Sequence, residues 1–214
     1  MSSPNDSNLK PSQFVKNTNL VADAQSSSLP IQLTKGQRVI WTGQSMAPEA
    51  PLYNMALAFT IQGNIAPERF KLAFQQLVNK SDAMRTVFEE SDGNVSQRVL
   101  DQLTYDFPIL DFSNSNDPHQ TVGDWTIQRC KRMLDLNKST FDTALLKKSA
   151  NEFVWYFNQH HVATDASSFG IIFGLLQDFY SSLEHDSQEK SQQKTRILLS
   201  LRFETMSHLK TNVR

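Results

Sequence analysis

The segment Phe153-Val-Trp-Tyr-Phe-Asn-Gln-His-His-Val-Ala-Thr-Asp165 concentrates the residues able to do chemistry. Two adjacent histidines close an aromatic-rich apolar run, and a carboxylate follows four residues after the second. A neutral imidazole is the side chain best suited to taking a proton from an amine or alcohol as it attacks a carbonyl. In an extended segment successive side chains face opposite ways, so Phe153, Trp155, Phe157, Gln159 and His161 share one face. Val154, Tyr156, Asn158 and His160 share the other, and the two histidines must therefore do different jobs. Histidines ending a buried strand are equally at home as hydrogen-bonded core residues, and the residue types alone leave both readings open. A His-His-Asp metal site is disfavoured, because the alternation separates the first two ligands and no other His or Cys lies near.

The chain of 214 residues, with a formal charge of −1 and 39% hydrophobic residues, is sized for one domain with one substantial core. It has no basic excess and no Lys/Arg cluster interleaved with aromatics, which argues against nucleic acid as a partner. Cys130 is the only cysteine, which excludes an internal disulfide and fits a reducing compartment; it reads as a small buried hydrophobe. No signal-peptide pattern and no membrane-spanning apolar run is present, so a cytoplasmic location is expected.

Residues 1–29 are rich in Ser, Asn, Gln and Asp without apolar period and are expected to be a disordered leader. Thr34 is a candidate N-cap for a short amphipathic helix carrying Gln37, Ile40 and Trp41. Leu52 to Gln62 reads as a strand ended by Gly63-Asn64. Pro67 opens a helix with Phe70, Ala73, Phe74, Leu77 and Val78 on one stripe. Met84 to Glu90 and Val95 to Leu100 form a hairpin around Asp92-Gly93. A helix is expected from about Pro118 to Leu134, and another after the histidines, from the spacing of Phe169, Ile172, Phe173, Leu176, Phe179, Tyr180 and Leu183, capped by Thr164, Ser167 or Ser168. Residues 185–214 read as a linker and a tail without clear pattern.

Three stretches carry a family resemblance. His160-His161-Val-Ala-Thr-Asp165-Ala166 resembles the HHxxxDG signature of the condensation domains of nonribosomal peptide synthetases. Lys80-Ser-Asp-Ala-Met-Arg85-Thr-Val-Phe88 is similar to their RHExLRTxF pattern, with Ser81 in place of His and Asp82 in place of Glu. Gln37, Ile40 and Trp41 match their opening SxAQxRLWxL motif, and Leu134-Asp-Leu136 with Phe141-Asp-Thr-Ala-Leu-Leu resembles the FDL…gPLxRxxL stretch before the histidine strand.

The resemblance implies an α+β fold: one half of a chloramphenicol acetyltransferase-like structure, a mixed sheet covered by helices, over residues 30–184. It implies acyl transfer, with His161 relieving an amine of its proton as it attacks a thioester, and His160 supporting the turn. It further implies that Arg85 clamps Asp165 in a buried pair, and that no cofactor binds directly, the substrate arriving on the phosphopantetheine of a carrier protein or as a CoA thioester. Ser167, Ser168 or a nearby backbone N–H are candidate oxyanion donors. Ala166 stands where the family has glycine, which narrows the channel by one methyl. The family's second lobe has no counterpart here, so a carrier protein or synthetase subunit, a separate second lobe or a homodimer is the expected partner. Two alternatives remain: a non-catalytic carrier-binding module, and a CoA-dependent O- or N-acyltransferase.

Overall fold

The computed structural model describes residues 29–188. The expected leader, residues 1–29, lies outside the described residues except for Leu29, as does most of the expected linker and tail, residues 189–214. In chain order the elements are β1 (Ile31–Gln32), α1 (Lys35–Ser45), β2 (Asn54–Gln62), α2 (Pro67–Lys80), the single turn α3 (Asp82–Arg85), β3 (Thr86–Ser91), β4 (Asn94–Val99), β5 (Ile109–Asp111), α4 (Pro118–Cys130), β6 (Phe141–Ser149), β7 (Glu152–His160) and α5 (Ser168–Gln188). They build two sheets, ordered β1-β4-β3 and β2-β7-β6-β5. Only the β5–β6 pair is parallel.

Local chemistry sets most boundaries. Thr34 caps α1 and, with Gln37, forms a reciprocal capping box. Pro67 starts α2 where its missing N–H costs no helical bond, Glu68 lies at the positive end, and the five stripe residues are all buried. The β3–β4 turn places both Asp92 (φ 52°) and Gly93 (φ 73°) in the left-handed region, as a tight hairpin turn requires. Met84 and Arg85 belong to α3, not to the hairpin strand, because the Ser81 hydroxyl accepts from the Met84 N–H and holds one helical turn there.

Two helices differ from expectation. Helix α4, capped by Asp117 through the Gln120 N–H, ends at Cys130 and not at Leu134. Beyond Cys130 the apolar residues no longer face the sheet, and Met133 is exposed. Helix α5 continues to Gln188, across residues 185–188 of the expected linker. Cys130, the last residue of α4, is half-buried against the core on that face, with its thiol pKa pushed up by burial, so it is not poised as a nucleophile.

Strand β7 is the axis. It pairs with β2 along Asn54–Gln62 and with β6 on its other side, and helices cover both faces. On one face α2 and α5 pack Phe70, Phe74 and Phe173 around Trp155, with ring centroids 5.7, 6.3 and 6.4 Å away. On the other, Trp125 of α4 meets Tyr156 edge-on at 5.4 Å. All residues from Phe153 to His160 are buried, which explains why apolar residues occupy both faces of this strand. Burying each such aromatic contributes about 1.5–3 kcal/mol, enough to hold the strand's end rigid.

The α4 face also contains a buried ion pair. Arg129 Nε and Nη2 donate to Asp142 Oδ2 and Oδ1 at 2.6 and 2.7 Å, and the Tyr105 hydroxyl donates to Asp142 Oδ1 at 3.0 Å. Burial works against the Arg129 charge, and the Asp142 carboxylate more than offsets it. Asp142 lies opposite Asn158 of β7, so this network braces the histidine strand.

Candidate active site

The strand alternation divides the histidines' environments as its period requires: Phe153, Trp155 and Phe157 lie in the α2/α5 core, Val154 and Tyr156 in the α4 core. His160 ends β7 opposite Asn54 and is 2% exposed. Its backbone N–H donates to Thr140 O at 2.8 Å, and its Nδ1 accepts from the Val162 N–H at 3.2 Å. The ring proton therefore sits on Nε2, which has no partner among the described residues. Burial, then the neighbouring His161, pull its pKa down to about 4. His160 is a neutral structural ring whose basic nitrogen is committed to the turn.

His161 is partly exposed. Its backbone N–H extends the β2–β7 ladder to Tyr53 O at 2.8 Å, and its Nδ1 lies 2.6 Å from Thr164 O. A carbonyl only accepts, so Nδ1 carries a proton, and in the neutral ring Nε2 is then the nitrogen with the lone pair. This is the tautomer a general base needs. The Thr164 carbonyl takes the place that a carboxylate holds in many catalytic triads, orienting the ring without charging it.

The expected Arg85–Asp165 clamp is not formed. Arg85 Nη2 pairs with Asp82 Oδ1 at 2.6 Å, while Nε and Nη1 donate to Leu100 O at 3.0 Å and Val78 O at 3.1 Å, with a further bond to Asn79 O. Asp82 wins because it sits on the same helical turn, three residues before Arg85. The arginine meanwhile satisfies the last carbonyls of α2. Asp165 is exposed, and its Oδ1 accepts from Ser167 Oγ (2.7 Å), Ser168 Oγ (2.8 Å) and the Ser168 N–H (3.0 Å). These three donors lower its pKa to about 2. Asp165 is thus the residue at the entrance of α5, a role expected of Thr164 or the serines. The hydroxyls of Ser167 and Ser168, read as oxyanion donors, give their protons to Asp165. Ala166 is exposed at the tip of the same turn.

The turn is held instead from the small sheet. Gln37 Nε2 donates to Val162 O at 3.2 Å, and Val162 is buried against Leu33 and Phe88, with the Trp41 ring tilted against Phe88 at 5.9 Å. Thr140 Oγ1 bonds Ala83 O at 3.3 Å and Phe88 N–H bonds Leu136 O at 2.9 Å, tying the FDL-like stretch to the arginine segment. Sequence reasoning missed Arg129, Asp142 and Tyr105, which come from three separate stretches. A weak signal existed in Asp142, the one charged residue in the run Phe141 to Leu146. Among the described residues no group of three His, Cys, Asp or Glu side chains could hold a metal ion. No helix among them is long and apolar enough to cross a membrane.

Comparison with known proteins agrees with this geometry. The sequence pattern of the condensation domain matches residues 28–198. A dimodular nonribosomal peptide synthase of Bacillus subtilis is 26% identical over 167 residues, 78% of this chain and 7% of that protein. Bacitracin synthase 3 of Bacillus licheniformis is 29% identical over 149 residues, 69% of this chain and 2% of that protein. The crystal structure of the starter condensation domain of rhizomide synthetase RzmA superposes with a TM-score of 0.69 at 29% identity, covering 74% of this chain and 39% of that one. The first condensation domain of the CDA synthetase shares the fold, with a TM-score of 0.69 at 18% identity. The chain thus spans well under half of each solved domain. It belongs to the condensation-domain family, whose solved members it matches over only part of their length.

Proposed function

We propose that this chain is the N-terminal lobe, residues 30–184 with the rest of α5, of a condensation-type acyltransferase, and that His161 is its general base. One observation carries the reading: the Nδ1–Thr164 O bond leaves Nε2 as a free base on a partly exposed ring at the end of an immobilised strand. An acceptor amine attacks the carbonyl carbon of a donor thioester, forming a C–N bond. The C–S bond breaks, and the proton lost by the amine passes through His161 Nε2 to the departing thiolate. The products are an amide and a free thiol. Base assistance of this kind is worth about 10²–10⁴ in rate, and holding the reactants together at least as much.

The donor is a thioester presented on the phosphopantetheine of a carrier protein or on CoA. A mutant of the RzmA starter domain has been crystallised in complex with C8-CoA, which supports an acyl-CoA donor as the first to try. A second lobe, supplied by another chain or by the synthetase subunit, completes the site, and the cytosol suits the single half-buried thiol. The oxyanion donor lies outside Ser167 and Ser168, whose hydroxyls serve Asp165. The test is reconstitution with a separately expressed condensation-domain C-terminal lobe, an octanoyl-CoA or carrier-bound octanoyl donor, and an aminoacyl acceptor. Amide product is expected only when both lobes are present. A complex that forms and binds carrier protein yet makes no amide from either donor would overturn the enzyme reading in favour of a binding module.

A further inference from the structure

Gln37 makes bonds that its helix does not need. As the third residue of a capping box it has one duty, to accept from the Thr34 N–H through Oε1, at 2.9 Å. Glu and Gln serve this duty equally. The donor half of the amide goes elsewhere: Nε2 donates to Gln97 Oε1 at 2.9 Å and to Val162 O at 3.2 Å, and Oε1 also accepts from Gln97 Nε2 at 3.1 Å. Both donors and both acceptor positions are thereby filled. Helix α1, strand β4 and the histidine turn, far apart in sequence, meet on one side chain.

Where that side chain pulls decides what it does. Val162 follows His161 directly, and its carbonyl is the point Gln37 holds. Its N–H is held by His160 Nδ1 at 3.2 Å, and the next N–H, of Ala163, returns to His160 O at 3.1 Å. The peptide units on both sides of Val162 are therefore pinned. His161 can then keep its ring within 2.6 Å of Thr164 O only in the register that Gln37 imposes. A displacement of about 1 Å at such a site can cost on the order of 10² in rate.

We propose that Gln37 is a positioning residue for the acyl-transfer base, setting the place and tautomer of His161 through the Val162 carbonyl; this rests on the reading of His161 given above. An amide is required because a carboxylate caps α1 equally well but has nothing to donate to Val162. The cap and the positioning role can be separated by two substitutions. Gln37→Glu keeps the acceptor for Thr34 and sets negative charge against the Val162 carbonyl. Thr34→Ala removes the cap and leaves the donors of Gln37 in place.

In the reconstituted two-lobe enzyme, Gln37→Glu is expected to keep wild-type helicity and to lower kcat about tenfold or more with KM nearly unchanged. Thr34→Ala is expected to lower thermal stability and to keep kcat. Nitrogen-15 spectra of the His161 ring report positioning without any turnover: in Gln37→Glu the Nδ1–H signal exchanges faster with water and the tautomer becomes mixed, while Thr34→Ala leaves both as in wild type. Unchanged kcat together with an unchanged ring spectrum in Gln37→Glu would overturn the proposal, as would an equal loss of kcat in both variants. If His161→Ala retains full transfer while the ring spectrum of Gln37→Glu still shifts, the general-base reading of His161 fails and only the mechanical link from Gln37 to its ring stands.

Discussion

Replacing Asp142 by Ala should unfold this lobe more readily than any surface change, and the size of the effect follows from its surroundings. Arg129 and Asp142 are each 7% exposed and joined by two bonds of 2.6 and 2.7 Å. Removing the carboxylate leaves a guanidinium buried without its counter-ion, which typically costs about 3–5 kcal/mol. The Tyr105 hydroxyl loses one acceptor but keeps Thr143 O at 3.3 Å, so it adds little. For a chain of this size a loss of about 3–5 kcal/mol corresponds to roughly 6–20 °C in melting temperature. The assay is urea denaturation followed by circular dichroism, read as the shift in midpoint at constant slope. The double variant Asp142→Leu with Arg129→Met should recover most of the loss, because a buried pair exchanged for apolar groups of similar volume is close to neutral. A single substitution costing under about 1 kcal/mol, or a double variant as unstable as the single, would refute the reasoning.

Three further outcomes follow from the site. Because burial lowers the folded-state pKa of His160 to about 4, the native ring stays neutral where the unfolded chain takes up a proton. Its contribution is complete above the unfolded value of about 6.5 and drains as pH falls towards 4, by on the order of 3 kcal/mol in all; a His160→Asn variant should flatten that limb of the pH–stability curve. In a double-mutant cycle Arg85→Ala and Asp165→Ala should be additive within about 0.5 kcal/mol, since Arg85 bonds Asp82, Leu100 and Val78 while Asp165 serves only its own turn; a coupling of several times that size would reinstate the clamp. Gln159 is 1% exposed with neither amide atom bonded among the described residues, so Gln159→Met, of similar volume, should raise stability by about 1–3 kcal/mol, and a lowered melting temperature would show that the amide is bonded within the protein.

Features written as local periodicity were legible from residues alone. The α2 stripe came through residue for residue, the Asp92-Gly93 turn folded as its φ preferences demand, and the alternation of β7 assigned each aromatic to its face. The end of α4 was not legible because Met133 and Leu134 continue an apolar pattern after the backbone has left the helix. The length of α5 is not legible because polar composition alone does not end a helix. At the site, the alternation of the strand was legible up to His160, where β7 ends, and His161 already belongs to the following turn. The partner of Arg85 was not, since one carboxylate and three backbone carbonyls share its guanidinium and distance in space decides. Nor was the tautomer of His161, which depends on a backbone carbonyl that no side-chain pattern encodes.

The central claim is that Nε2 of His161 removes the acceptor's proton. The measurement that addresses it most directly is the single-turnover rate of amide formation by the reconstituted domain with His161→Ala, compared with wild type at saturating donor and acceptor. A drop of about 10²–10⁴ with donor binding intact is predicted. A rate within about twofold of wild type would contradict it.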